Sequence, residues 1–251
     1  MNHTAKALLL FITLITLGVA TPAFANNCVI LLHGLARSEK SMHTMEKHLR
    51  QAGYNVVNSG YPSTSATVEN LAASALPLAI NNCNQPVKAK HVFFVTHSMG
   101  GIMLRQYLST NTIDNLKRVV MLGPPNKGSQ VVDHLKSVPG FKAFNGPAGQ
   151  QLGTDANSLP LKLGPANFEV GIIAGTFSIN LLLSNLLPNP DDGKVSVENT
   201  RLEGMKDHLE VPVSHPFLMS NLKVIEHTLH FLQHGFFKRD ENSTAKAKEV
   251  P

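Results

Sequence analysis

Six short apolar or β-branched runs, at 28–32, 54–57, 91–95, 118–122, 169–174 and 208–213, recur along the chain mostly without polar alternation. A strand with one wet face alternates apolar and polar residues, so unbroken runs predict strands covered on both faces. Helix-like segments at 40–51, about 66–82, 100–109, 129–138 and 221–234 separate most of them. Strands and helices in alternation pack as a mostly parallel sheet with helices on both faces, which makes the predicted class α/β. With 43% hydrophobic and 16% charged residues, the 251-residue chain can build one sizeable core, and one globular domain is expected over 26–237. No repeat or low-complexity tract interrupts it.

The first 25 residues read differently. Lys6 gives a weakly positive start, residues 7–20 form a 14-residue apolar run, and Ala23-Phe24-Ala25 is a small-x-small cleavage site. The reading is a signal peptide cut after Ala25, because the run falls short of the ~20 residues a bilayer span needs. The mature chain is then periplasmic or secreted, and its formal charge falls from +5 to +4 with the loss of Lys6. That charge is thinly spread, so nucleic acid is not an expected partner. Cys28 and Cys83, the two cysteines of the chain, each precede a predicted strand. In an oxidising compartment an even pair reads as a disulfide, with two buried thiols as the alternative.

Two stretches break the rhythm. Residues 139–165 hold nine Gly or Pro in 27 positions, too many for regular structure, and 177–187 carries Leu181-Leu182-Leu183 and Leu186-Leu187. The span 139–187 is therefore read as a lid or cleft-covering insertion, with a core helix at 177–187 left open as the other reading. The tail 238–251, charged and without a large apolar residue before Val250, has little with which to dock and is expected to be flexible.

Chemistry concentrates at Thr96-His97-Ser98-Met99-Gly100-Gly101, between the run 91–95 and a helix-like segment. Strand, sharp turn with Ser98, and helix make a nucleophile elbow, which exposes a hydroxyl at the carboxyl edge of a sheet. Serine is a weak nucleophile at neutral pH and needs a base, a group to orient the base, and donors for the oxyanion. His215 follows the last strand and precedes Pro216, so it is the preferred base; His208 begins the same strand and belongs at the opposite edge. Asp192, beside Gly193 and after the fifth strand, is preferred as the acid, while Asp191 suits a turn that hydrogen-bonds its own backbone. The loop Leu31-Leu32-His33-Gly34-Leu35 ends the first strand and offers the Leu35 N–H, to be joined by that of Met99. His33 and Gly34 support this loop, with His33 read as a structural hydrogen-bonding residue.

His33-Gly34-Leu35, Tyr61-Pro62, His97-Ser98-Met99-Gly100-Gly101, the stretch Gly123-Pro124-Pro125-Asn126-Lys127-Gly128-Ser129, Asp192-Gly193-Lys194-Val195 and His215 together resemble the lipase and esterase branch of the α/β-hydrolases, including bacterial lipases. The likeness covers most of 28–235. It implies an α/β-hydrolase fold, a Ser98–Asp192–His215 triad, oxyanion donors at Leu35 and Met99, no cofactor, and ester or lipid substrates with transient contact with lipid surfaces. One departure stands out: Thr96 occupies the first Gly of G-x-S-x-G, so a Cβ must fit against the following helix.

No metal is expected. His227, His230 and His234 recur on the last helix, but Leu222, Ile225, Leu229 and Leu232 predict a buried stripe that turns these histidines to solvent, without a fourth ligand. His43 and His48 read as surface residues, and no calcium-binding pattern follows the acid. The expected function is exported hydrolysis of carboxylic esters through an acyl-enzyme, with activity rising as the imidazole base loses its proton at about pH 6–7. An acyltransferase or thioesterase on the same triad, and a non-catalytic lipid-binding protein of the same fold, are the alternatives.

Overall fold

The computed structural model describes residues 26–239. The signal-peptide reading of 1–25 lies outside these residues. All six expected strands form: β1 (Asn27–Leu32), β2 (Asn55–Ser59), β3 (His91–His97), β4 (Leu116–Leu122), β5 (Val170–Gly175) and β6 (Asp207–Val211). They join in one sheet of order β2-β1-β3-β4-β5-β6, every neighbouring pair parallel. The four inner strands are buried along most of their length, whereas the edge strands β2 and β6 are mixed.

Alternate residues of each strand feed two cores. Ile30, Leu32, Phe94 and Met121 point to one face, where α2 (Val68–Cys83) and α3 (Met99–Leu108) pack. Val29, Leu31, Val95 and Val120 point to the other, covered by α1 (His43–Gln51) and by α9 (Leu222–His234). Parallel strands need such crossovers, and covering both faces explains why the runs lack polar alternation. Cys28 and Cys83 form a disulfide that fixes the end of α2 to the start of β1.

Between the fourth and fifth strands lie α4 (Gln130–Leu135), α5 (Phe141–Gln150) and α6 (Leu159–Lys162). The Gly- and Pro-rich stretch 139–165 is thus more regular than its composition suggests. Its prolines stand where a helix tolerates them: Pro160 occupies the first turn of α6, and Pro147 follows a break at Gly146 that divides α5. The span 139–187 is also not one insertion, because β5 lies inside it, in the sheet.

After β5, the apolar run 177–187 forms only the single turn α7 (Leu181–Ser184), followed by α8 (Val197–Thr200). It is not a core helix, since Leu181 and Leu182 are 73% and 82% exposed. The buried stripe of α9 also differs from its periodic reading: Val224, Ile225, Thr228, Phe231 and Leu232 face inward, and Leu222 is exposed. Phe231 sets this phase, its ring lying in the space over Gly171 of β5 that any side chain there would fill. Lys238 and Arg239, counted with the flexible tail, are tied to Glu226 and Asp207 by ion pairs; residues 240–251 lie outside the described residues.

Candidate active site

Because all strands run the same way, the segments leaving β1, β3, β5 and β6 emerge at one edge of the sheet. The order turns back between β1 and β3, and a crevice opens at such a switch point, outside the carboxyl ends of the strands. Ser98 directly follows β3 there, as the N-cap of α3, with φ 53° and ψ −123°. A non-glycine residue held at such angles costs of order 1–3 kcal/mol. The surroundings impose it: the Ser98 N–H donates to the Leu122 carbonyl at 2.8 Å, and the Ser98 carbonyl accepts from Gly101 at 3.0 Å.

The Asp192 carboxylate is buried, and both oxygens are engaged. Oδ1 accepts the N–H groups of Lys194 and Val195 at 3.0 and 2.9 Å, while Oδ2 accepts from His215 Nδ1 at 2.7 Å. A carboxylate only accepts, so Nδ1 carries the proton and Nε2 is the basic nitrogen. The His215 N–H donates to the Asp192 carbonyl at 3.0 Å, tying the two residues by backbone as well. Asp191 faces elsewhere, taking the Gly193 N–H at 2.7 Å and the Ser184 hydroxyl at 2.6 Å. His208 starts β6 at the far edge, bonded to the Thr200 hydroxyl, with burial pushing it down to about 4.

His33 holds the first loop. Its Nδ1–H donates to the Gly34 carbonyl at 2.9 Å, its ring stacks on Tyr61 at 4.0 Å, and the Tyr61 hydroxyl donates to the His33 carbonyl. Neither Leu35 nor Met99 has its N–H committed to a hydrogen bond among the described residues. Met99 opens a ten-residue helix, whose terminus favours negative charge.

A cleft of about 360 Å³ reaches Ser98 and His215. Its apolar wall comes from Leu35, Val131, Val132, Leu135, Phe141 and Leu152, that is from the oxyanion loop, α4, α5 and the residues after α5. Residues 177–187 do not line it; of the expected insertion, only Phe141, Asn145 and Leu152 do, beside α4, which precedes it.

No protein-family model matches the chain, and no curated protein matches it. Solved structures do. The chain is similar to the mature form of lipase BlEst2 from Bacillus licheniformis, at TM-score 0.64 and 20% identity over 87% of this chain and 95% of that one. It is similar to the metagenomic carboxyl esterase MGS0156, at TM-score 0.58 and 16% identity over 76% and 65% of the two chains. It also matches phospholipase PlaB from Legionella pneumophila, at TM-score 0.53 and 17% identity over 70% of this chain and 45% of that one. The chain has the α/β-hydrolase fold.

Within this fold, Thr96 is accommodated beside Gly101. The Thr96 hydroxyl lies where it would stand 3.2 Å from a Cβ at Gly101, so the space beside the helix comes from Gly101 on the other side of the elbow. The Thr96 hydroxyl is buried there without a hydrogen-bond partner. Gly123, the residue after β4, has φ 55°, and a Cβ on it would sit 3.0 Å from Asp192 Oδ2 and 3.1 Å from His215 Nδ1. A side chain at this position would therefore crowd both Asp192 and His215.

Two further residues build the site, and a third braces loops beside it, none with a distinct role in the sequence reading. His97 is buried beside the base, its ring 4.7 Å from that of His215, and its Nε2–H donates to the His215 carbonyl at 3.1 Å. Burial, and then the proximity of His215, hold it well below 6.5, so it stays neutral. Ser129 donates to the Lys194 carbonyl at 2.6 Å and fixes the acid loop. Arg105 is buried without a carboxylate; it donates to Asn126 and to the carbonyls of Pro160 and Gly164, and burial lowers it to about 10. A lone Arg in an otherwise apolar helical stretch was the signal available for it. Among the described residues, no group of three His, Cys, Asp or Glu side chains is placed to hold a metal ion; His230 of α9 bonds the Phe236 carbonyl and packs on His234.

Proposed function

We propose that this protein hydrolyses carboxylic esters, with Ser98 as nucleophile, His215 as base and Asp192 as the group that orients and stabilises the imidazole. The observation that carries the reading is the 2.7 Å Asp192–His215 hydrogen bond at the same cleft as the strained Ser98. In the mechanism, His215 Nε2 takes the Ser98 proton as the hydroxyl oxygen attacks the carbonyl carbon. The tetrahedral oxyanion sits against the Leu35 and Met99 N–H groups, and His215 then protonates the leaving alcohol. Water, activated by the same imidazole, releases the acid from the acyl-enzyme.

Among the described residues, the Ser98 hydroxyl makes no hydrogen bond. Nucleophile–base pairs often tighten only around substrate, so this geometry is compatible with the role. The similarity to a lipase, a carboxyl esterase and a phospholipase supports ester chemistry over other uses of the fold. Export with cleavage after Ala25 belongs to the same reading and is supported by the disulfide; N-terminal sequencing of the mature protein tests it.

The decisive experiment is a panel of p-nitrophenyl esters of increasing acyl length, with Ser98→Ala as control. Turnover by the native enzyme and none by the variant is expected, together with covalent labelling of Ser98 by a fluorophosphonate. A folded native protein that turns over no ester and takes no label would remove the esterase reading in favour of a binding protein.

A further inference from the structure

The cleft beside Ser98 carries a charge pattern that ester hydrolysis alone does not require. Two cations line it, Arg37 and Lys194, and no Asp or Glu side chain does. Each belongs to a segment that the site itself fixes. Arg37 stands two residues beyond the Leu35 donor, across Ala36, which is held at φ 53°; Ala36 and Ser98 are the non-glycine residues with left-handed backbone among those described. Lys194 stands two residues beyond Asp192, its N–H on the Asp192 carboxylate and its carbonyl on Ser129. The Lys194 backbone cannot leave the cleft without undoing the turn around Asp192.

Several cations elsewhere on the described surface are paired, while others, such as Lys117 at the amino end of β4, stand on open surface away from the cleft. Arg50, Arg118, Lys127, Lys136, Arg201 and Arg239 each face a carboxylate within ion-pair distance. Among the described residues Arg37 and Lys194 form no such pair, and the carboxylate that acts on Lys194, Asp192, has both oxygens occupied. The two are also close enough to repel one another: burial by the surrounding chain and then the Arg37 guanidinium lower the proton affinity of Lys194, against the attraction of Asp192. Two like charges placed together over a catalytic cleft, with no counter-ion from the protein, are arranged to meet one from the ligand.

We propose that Arg37 and Lys194 select esters whose alcohol carries an anionic group, a carboxylate or phosphate, the acyl chain lying against the apolar wall of α4 and α5. This rests on the esterase reading and narrows its substrate class. The anion stays on the alcohol as it leaves, so the step needs no other reactant than water.

A matched pair of substrates tests it on the intact enzyme: the butyrate esters of 4-hydroxybenzoate and 4-hydroxybenzamide, nearly identical in shape and differing in charge. Each kcat/KM is divided by the rate with hydroxide, which cancels the difference between leaving groups. The native enzyme is expected to favour the carboxylate roughly tenfold, the scale of two exposed charge contacts. Arg37→Gln and Lys194→Gln each lower that ratio by about threefold and the double variant brings it near one, whereas Lys117→Gln, at the amino end of β4, leaves it in place. Raising the salt from about 0.05 to about 0.5 M lowers the ratio in the same way. The butyrate ester of 4-hydroxyphenyl phosphate shows which of the two anions fits better.

A native ratio near one for both anions, or a double variant that keeps the preference, overturns the proposal. If the neutral ester is still hydrolysed in a Ser98-dependent way, the esterase reading survives that result. If the folded native enzyme turns over no ester, both fall together.

Discussion

Replacing Asp192 by Asn tests the heart of the site, because the structure dictates how the amide must lie. Two N–H groups, from Lys194 and Val195, converge on Oδ1. The Asn carbonyl has to occupy that position, which turns the NH₂ toward His215 Nδ1. Nδ1 must then present a lone pair, the proton moves to Nε2, and the imidazole can no longer accept from Ser98. Restoring the working tautomer means flipping the amide and leaving two buried N–H donors unpaired, at roughly 1–3 kcal/mol each, or about 2–6 kcal/mol together. The loss of the carboxylate's charge beside the imidazolium adds to this. At about 1.4 kcal/mol per tenfold, the expected fall in kcat is on the order of 10³–10⁴, the scale known for such a replacement in triad enzymes. The assay is ester turnover at a pH where the native base is deprotonated, with circular dichroism and a thermal melt to show that the variant is folded. Asp191→Asn is the control, since that carboxylate bonds the turn and Ser184 instead; its kcat should stay within about fivefold of native. A folded Asp192→Asn enzyme that keeps more than about a tenth of native kcat, or an Asp191→Asn enzyme that falls as far as Asp192→Asn, would refute the assignment.

Four further outcomes follow from the same structure. Gly123→Ala inserts a methyl 3.0 Å from Asp192 Oδ2 at a positive φ, so ester turnover should drop about 10²-fold, with stability lower by about 1 kcal/mol or more in urea titrations. Thr96→Val removes a buried hydroxyl that has no partner and should raise the melting temperature by about 2–4 °C; a lower melting temperature would show that the hydroxyl is satisfied in solution. Replacing both cysteines by Ala should cost about 4 kcal/mol, the chain-entropy value for a crosslink spanning 55 residues, measured by denaturant unfolding without reductant. His208 is neutral in the fold and is lowered from 6.5 to about 4. The unfolded chain therefore binds the proton first: stability from this group is present above pH 6.5 and is lost as pH falls through about 4. Thermal melts across that range should show the loss, and His208→Gln should reduce it.

Much of this architecture was legible in the sequence because the forces that fix it are local or periodic. Unbroken apolar runs require strands covered on both faces, and each of the six formed where those runs stand. The elbow at 96–101 was equally plain, since strand, turn and helix are written consecutively. The order of Ser98, Asp192 and His215 along the chain, joined to parallel strands, was enough to bring them to one sheet edge.

What depends on contacts between distant segments was not legible. The inward face of α9 is set by Phe231 lying over Gly171, across sixty residues of chain, so its own periodicity found Ile225 and Leu232 but included the exposed Leu222 and missed Phe231. Whether 177–187 was core or surface turned on what it packs against, and its leucines found solvent. Gly123 shows the same limit: a glycine after a strand is ordinary in sequence, and only the fold places Asp192 and His215 where its side chain would have been. The sequence by itself determined the strands, the elbow and the order of Ser98, Asp192 and His215. The tertiary structure alone decided which groups must be small, which stay uncharged, and which face the cleft, because those properties arise from neighbours that the chain meets only after it has folded.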